Sequence, residues 1–219
     1  MNWKGAGAME KLLDYIHDKD HVIWDWNGTL LNDVAHAVAT MNQFLAPRGL
    51  PPMDVERYRR TFGFPIRKYY ESLGFDLVSE SFSDLCDQYV EAFMRKVFEC
   101  ALVPGSREFL RAVRDAGKTQ SVLSATHQPQ LHRMVTAFEL EPCFDFVYGI
   151  EDKLAFSKVH RGHDLLRASG IPASRTVLIG DTDHDLEVGE ALGIDVVLVT
   201  HGHQCAERLR GLHRHVVDL

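Results

Sequence analysis

Residues 21–30, which read HVIWDWNGTL, decide the fold of this chain. Apolar residues dominate the start of this stretch, and Asp25 follows them at once. Short apolar runs of this kind are typical of buried strands in parallel sheets. Gly28 then breaks the pattern. The stretch therefore predicts a buried strand with a carboxylate at its tip, where packing gives no reason for one.

Strand and helix patterns alternate in the second half of the chain. The apolar runs predict strands at 120–123, 145–149, 176–179 and 194–199. The helical periodicities between them predict helices at 106–116, 128–138, 157–169 and 184–192. Such alternation implies right-handed crossovers. We therefore predict an α/β fold, a Rossmann-like parallel sheet with helices on both faces.

A helical block interrupts this pattern after the first strand. Apolar spacing predicts helices at 33–49, 53–61, 65–73 and 81–98, with a further short helix at 9–17. No strand pattern occurs in residues 33–100. We therefore expect an inserted all-α helical cap at 32–101, and a Rossmann-like catalytic core made of 1–31 and 102–219.

Composition narrows the classes of partner. The chain has 219 residues with 24 Lys and Arg against 31 Asp and Glu, a formal net charge of -7. This balance predicts no binding to nucleic acid or to an anionic membrane. The four cysteines form no CxxC pair, and no apolar run has the length of a signal peptide or a membrane span. We expect a cytoplasmic protein with reduced thiols.

Other polar residues follow the predicted strands. Asp181 and Asp185 come after one strand, Ser124 after another, and Lys158 opens a helix. Ligands in parallel sheets bind at the carboxyl ends of the strands. A carboxylate there can attack phosphorus. Several carboxylates beside an anionic substrate need a cation between them, and oxygen ligands suit Mg²⁺.

Each of these residues also has a structural interpretation. Ser124 alone would be read as a turn or helix-cap residue, and Lys158 alone as a solvated lysine. Asp181 and Asp185 could cap the helix that follows them. Their common order and their common position at strand ends favour a functional site.

Together these residues resemble a known family. The motif Asp25-x-Asn27-Gly28-Thr29-Leu30, then Ser124, Lys158 and Gly180-Asp181-x-x-x-Asp185, resembles the haloacid dehalogenase (HAD) superfamily. The helical block resembles the α-helical cap of its phosphoglycolate-phosphatase-like branch. The resemblance covers about residues 21–200.

This resemblance implies a Mg²⁺-dependent phosphatase that acts on a small phosphorylated metabolite through a phosphoaspartyl intermediate on Asp25. It implies that Mg²⁺ is held by Asp25, the backbone carbonyl of Asn27, Asp181 and Asp185, the last as a ligand or directly behind the ligands. It implies that the phosphoryl group is bound by Ser124 and Lys158, with Thr29 and Ala125 as further substrate-binding positions.

Asn27 departs from the family pattern. The family's phosphatases usually carry a second aspartate here, which protonates the leaving group and activates water. An amide cannot transfer a proton near neutral pH, and general acid–base catalysis is worth about 10²–10⁴-fold. We therefore expect slow turnover of alkyl phosphates and a preference for good leaving groups. His127 and His184 are candidates to replace the missing acid, and solvated or structural histidines are the alternative.

The cap is expected to select the substrate. Gly63 lies in a loop before a helix, and Arg67 on that helix could meet a second anionic group of the substrate. The alternative is that this segment forms only cap core and solvated surface. We expect Arg59 to be a surface residue, and His201 and His203 to be loop histidines without the ligand set of a zinc site.

The sequence leaves alternatives to the phosphatase. A carbon–phosphorus hydrolase also lacks the second aspartate, but Ile66 stands where its Schiff-base lysine would lie. A dehalogenase needs no metal, and a phosphomutase needs the missing acid–base group even more. A phosphometabolite-binding protein without turnover and a scaffold protein are the non-enzymatic alternatives. We expect a monomer or a weak homodimer.

Overall fold

The computed structural model describes residues 6–151 and 157–218, and its centre is a six-stranded sheet. All strand pairs in this sheet are parallel. In spatial order the strands are β5 (Phe146–Ile150), β4 (Thr119–His127), β1 (His21–Trp24), β6 (Thr176–Gly180), β7 (Asp195–Val199) and β8 (Val216–Val217). The predicted α/β fold with a parallel sheet is confirmed.

Strand β1 lies in the middle of the sheet, and the strand order changes direction there. Trp24 pairs with Val122 of β4 on one side and with Ile179 of β6 on the other. Later strands extend outward from both neighbours, so a crevice opens at the carboxyl end of β1. Asp25, which follows β1 directly, therefore stands at the topological switch point of the sheet.

Helices cover both faces of the sheet because successive strand residues point to opposite sides. Val22 and Trp24 pack with α1, α6 and α7, whereas Ile23 packs with α8, α9 and α10. The bounds of these helices are α1 (Ala6–Tyr15), α6 (Ser106–Asp115), α7 (Gln128–Ala137), α8 (Ser157–Ser169), α9 (Asp183–Leu192) and α10 (Ala206–Leu212).

The helical block has a hydrophobic cluster of its own. It contains α2 (Val34–Leu45), α3 (Val55–Thr61), α4 (Ile66–Leu73) and α5 (Phe82–Lys96). Apolar and tyrosine side chains of this block form a buried cluster separate from the sheet. No helix in the two described ranges combines the length and the apolar character that crossing a bilayer requires.

Two short strands join the helical block to the sheet. β2 (Leu31–Asn32) and β3 (Ala101–Leu102) pair antiparallel. The sequence does not predict them, because two residues carry no periodicity and each strand forms only against the other. The terminal elements α10 and β8 are also missing from the sequence prediction.

The prediction for β4 needs one correction. The sequence predicts that this strand ends at Ser124, but β4 continues to His127. Its pairing with β5 is regular up to Leu123 and shifts before His127. Ser124 therefore lies where the pairing of β4 with β5 becomes irregular, and irregularities of this kind re-aim side chains beside functional sites.

His21, at the start of β1, makes the sheet sensitive to acid. Its Nδ1 lies 2.6 Å from Thr119 Oγ1, and its Nε2 is buried without a hydrogen-bond partner among the described residues. Burial lowers the pKa of His21 to about 4. Since the unfolded histidine titrates near 6.5, stability present above pH 6.5 is lost as the pH falls toward 4.

His21→Gln should therefore flatten the fall in stability between pH 6.5 and 4. The histidine should contribute at most about 3 kcal/mol over that interval. Urea unfolding of both proteins at several pH values measures the difference in slope. Parallel stability curves for the two proteins would contradict this account of His21.

Candidate active site

The tip of β1 meets the first turn of α8 in a buried ion-pair cluster. Lys158 Nζ lies 2.7 Å from Asp25 Oδ1 and 2.7 Å from Asp185 Oδ1. The exposed fractions of the three side chains are 4% for Lys158, 11% for Asp25 and 1% for Asp185. Burying charge is costly unless the charge is paired. The three elements that carry these residues are therefore held in one arrangement.

Asp185 also organises the start of α9. Its Oδ2 accepts hydrogen bonds from Thr182 N at 3.0 Å, Thr182 Oγ1 at 2.9 Å and Asp181 N at 3.2 Å. This is the capping role that its position in the sequence allowed. The carboxylate therefore caps a helix and pairs with Lys158 at the same time.

Asp181, at the end of β6, is held by two separate loops. Its Oδ1 accepts a hydrogen bond from Thr29 Oγ1 at 2.8 Å, and its Oδ2 accepts one from His203 N at 2.6 Å. A Cβ at Gly28 or Gly202 would overlap the Asp181 carboxylate. Both loops therefore need glycine where they close on this aspartate.

Burial and the neighbouring charges shift the pKa values of the ionisable groups in this cluster. Burial raises the pKa of Asp25 to about 7, although Lys158 acts against this, and burial raises the pKa of Asp181 to about 6. Burial also opposes ionisation of Asp185, but Lys158 and Thr182 outweigh it and lower the pKa of Asp185. The pKa of Lys158 is raised, because its two carboxylate partners outweigh its burial.

The carboxylates of this cluster fit a divalent cation. Asp25, Asp181 and Asp185 each offer one oxygen, and these oxygens lie within 4.8 Å of one another. Lys158 supplies one positive charge against the three carboxylates, so a cation would relieve their repulsion. Oxygen donors of this kind suit Mg²⁺.

Asn27 has a hydrogen-bond partner on each end of its amide. Its Nδ2 donates to Asp33 Oδ2 at 2.8 Å, and its Oδ1 accepts from Thr126 Oγ1 at 2.8 Å. Asp33 Oδ1 accepts from Gly28 N at 2.8 Å. Asp33 is not among the site residues predicted from the sequence, although it lies only eight residues after Asp25.

His203 contacts Asp33 and links it to the helical block. Its Nε2 lies 3.3 Å from Asp33 Oδ1, and its Nδ1 is 2.9 Å from the Tyr58 hydroxyl of the helical block. Burial acts to lower the pKa of His203, but Asp33 outweighs it and raises the value to about 9. His203 is thus a buried part of the site, where the sequence analysis expected an ordinary loop histidine.

His127 and His184, the two candidates for the missing acid, make other contacts. His127 is exposed at the end of β4. His184 stacks on Phe64, with 4.4 Å between ring centroids, and its Nδ1 lies 2.9 Å from Glu187 Oε2. Neither of these contacts involves Asn27.

Arg59 contacts the sheet domain, which corrects the expectation of a surface residue. Its Nε donates to Gly202 O at 2.8 Å, and a second nitrogen donates to His201 O. Its own carbonyl accepts from Cys205 N at 3.0 Å. The helical block is therefore fastened to the loop that carries His203.

The structure separates the two cap residues predicted to bind substrate. Gly63 is buried, and a Cβ there would come within 3.2 Å of Arg208, so this loop packs on α10. Arg67 is exposed and its guanidinium lies 4.4 Å over the Phe82 ring.

The two predicted phosphoryl-binding positions on β4 differ in exposure. Ser124 is buried, and its Oγ accepts a hydrogen bond from Thr126 N at 3.1 Å. Ala125 beside it is exposed.

Comparison with known proteins identifies the family. The model of the family described as haloacid dehalogenase-like hydrolase matches residues 22–199. The chain belongs to this family, and the resemblance inferred from the motifs is confirmed.

Named relatives narrow the class. "Probable phosphatase IndB" from Dickeya dadantii is 28% identical over 205 residues, 91% of this chain and 89% of that protein. A phosphoglycolate phosphatase from Caulobacter vibrioides is 27% identical over 190 residues, 83% of this chain and 79% of that protein. The solved haloacid dehalogenase-like protein SP0104 from Streptococcus pneumoniae has the same fold, with a TM-score of 0.77 at 19% identity, covering 91% of this chain and 93% of its own.

These relatives place the chain among the phosphatases of the family, so it is a phosphoric monoester hydrolase.

Lys158→Met tests the ion-pair cluster. Removing one partner of a buried pair costs about 3–5 kcal/mol, because the remaining charges stay buried. We expect a loss of that size in the free energy of unfolding at pH 8, measured in urea with a chelator. The loss should shrink at pH 5.5, since a protonated Asp25 needs no counter-charge.

The matched control is Lys68→Met, which removes an exposed lysine from α4. Surface substitutions usually change stability by about 0.5 kcal/mol or less. Equal losses for the two variants would show that Lys158 does not hold the cluster together.

Proposed function

We propose that this chain is a Mg²⁺-dependent phosphatase that hydrolyses a small phosphorylated metabolite through a phosphoaspartyl intermediate on Asp25. The observation that carries the proposal is the convergence of Asp25, Lys158, Asp181 and Asp185 in one buried cluster at the switch point of the sheet. In this proposal residues 1–31 and 102–219 form the catalytic core, and 32–101 form the cap.

Asp25 acts as the nucleophile in this proposal. One carboxylate oxygen attacks phosphorus, and the bond to the leaving oxygen breaks with its electron pair. Water then attacks phosphorus in the phosphoaspartate, which releases phosphate and restores the carboxylate. Lys158 orients Asp25 at 2.7 Å and offers positive charge to the transferring group, as catalysis by fixed charges requires.

Mg²⁺ would be held by Asp25, Asp181 and the backbone carbonyl of Asn27, and it would supply the positive charge that brings two anions together. Asp185 stands behind these ligands, since its oxygens already serve Lys158 and the start of α9. Ser124, Thr29 and Ala125 are the proposed phosphoryl-binding positions beside Lys158.

The cap closes the site with aromatic residues in this proposal. The Phe62 ring lies 5.5 Å from His203, and the Phe64 ring stacks on His184. A site covered in this way favours a small substrate, as the phosphoglycolate phosphatase relative suggests. Gly63 belongs to this covering loop, whereas the packing of Arg67 on Phe82 supports its structural role over contact with the substrate.

Phosphate release should depend on both Mg²⁺ and Asp25. We expect the wild-type protein to release phosphate from at least one member of a panel of small phosphorylated metabolites when Mg²⁺ is added. A chelator and Asp25→Asn should each remove this activity, because one removes the cation and the other the nucleophile. Inorganic phosphate release measures the rate.

Asp20→Asn is the matched control, since Asp20 lies at the end of β1 opposite Asp25 and pairs with Arg175 at the surface. It should retain the wild-type rate. Activity that persists in Asp25→Asn would contradict the nucleophile assignment. Metabolite binding without any phosphate release would favour the binding-protein alternative.

The rate should depend steeply on the leaving group, because the Asn27 amide cannot protonate it. Substituted phenyl phosphates of similar size isolate this effect from binding. We expect kcat/KM to fall by about 10²–10⁴-fold from the best to the poorest leaving group, the range that general acid catalysis normally covers. A flat dependence would show that another group supplies the proton.

A further inference from the structure

The amide of Asn27 is fixed in one orientation by its two neighbours. It donates to Asp33 Oδ2 and accepts from Thr126 Oγ1, both at 2.8 Å. Asp33 is 1% exposed, so it cannot exchange this bond for water. A buried carboxylate that loses its donor pays a desolvation cost. The side chain at position 27 is therefore set by Asp33.

Asp33 also holds the backbone that follows Asn27. Its second oxygen accepts from Gly28 N at 2.8 Å and lies 3.3 Å from His203 Nε2. Gly28 adopts a φ of +73°, in the loop that presents Thr29 to Asp181. One carboxylate therefore positions both the side chain and the loop next to the nucleophile.

An ionised carboxylate can only accept hydrogen bonds, whereas an amide can also donate. A second carboxylate at position 27 would leave Asp33 without its donor and would place two like charges in contact. We propose that Asp33 is a positioning residue that requires an amide at position 27, so that residues 27 and 33 form one exchangeable amide–carboxylate pair that sets the leaving-group preference.

The contact between Asn27 and Asp33 supports the pair directly. Only the effect of the pair on leaving-group preference rests on the proposed function. Asp33→Asn would set two amide donors against each other, and Asn27→Asp would set two carboxylates against each other. In the double variant Asn27→Asp/Asp33→Asn, the amide at position 33 donates to the carboxylate at position 27. Its oxygen still accepts from Gly28 N.

The kinetic test compares the four proteins on phenyl phosphates. Each single variant should lose about tenfold or more in kcat with KM changed by less than about threefold. The double variant should exceed the product of the two single effects by about tenfold or more. Its rate on an alkyl phosphate relative to a phenyl phosphate should rise by about tenfold over wild type, since a carboxylate at position 27 can transfer a proton.

Asn32→Asp is the control, because it makes the same chemical change at an exposed position next to Asp33. It should match wild type in kcat and in leaving-group preference. A double variant whose kcat equals the product of the single effects would overturn the pair. A restored kcat without a change in leaving-group preference would overturn the claim that the pair sets that preference.

Unfolding in urea without Mg²⁺ or substrate tests the pair independently of activity. We expect the unfolding equilibrium constant of the double variant to be about tenfold smaller than the product of the two single effects predicts. A double variant that folds where Asn27→Asp does not would support the pair by rescue. Additive effects would overturn it. A wild-type protein that hydrolyses no phosphate ester would refute the proposed function while this cycle still decides the pair.

Discussion

The ammonium group of Lys158, buried between Asp25 and Asp185, is the interaction on which the rest of the site depends. It joins the tip of β1, the start of α9 and the first turn of α8. Since Asp181 adds a further buried carboxylate, the cluster carries more negative than positive charge. Burial raises the pKa of Asp25 to about 7. The imbalance of charge favours a divalent cation at this place. Structure and proposed chemistry thus have one electrostatic origin.

The sequence predicts the parts of this arrangement that local pattern encodes. The strand ending at Asp25 and the carboxylate tip at Asp181 follow from apolar runs that stop at a polar residue. Asp33, His203 and Arg59 could not be found in this way, because their roles arise from contacts between segments far apart in the chain. Arg59 is a helix residue with no distinguishing pattern, and only docking of the helical block on the loop after β7 gives it carbonyl partners.

Asn27 is another residue whose role the sequence alone does not reveal, because that role depends on its contacts. Seen alone, it is an amide where the family's phosphatases carry an acid. Seen with its neighbours, it is one half of a hydrogen-bonded unit whose other half is Asp33. Through His203 this unit reaches the hydroxyl of Tyr58 in the helical block. Asn27, the loop after β7 and the helical block are therefore connected by direct contacts in one polar network.

The most direct measurement is to quench the protein in acid during turnover with Mg²⁺ and a phenyl phosphate, and to locate the phosphoryl group by mass spectrometry of its peptides. The account predicts a phosphorylated peptide whose modified residue is Asp25, and which forms and decays at the rate of turnover. A phosphoryl group on His203, or steady release of phosphate with no phosphorylated peptide at any time, would contradict it.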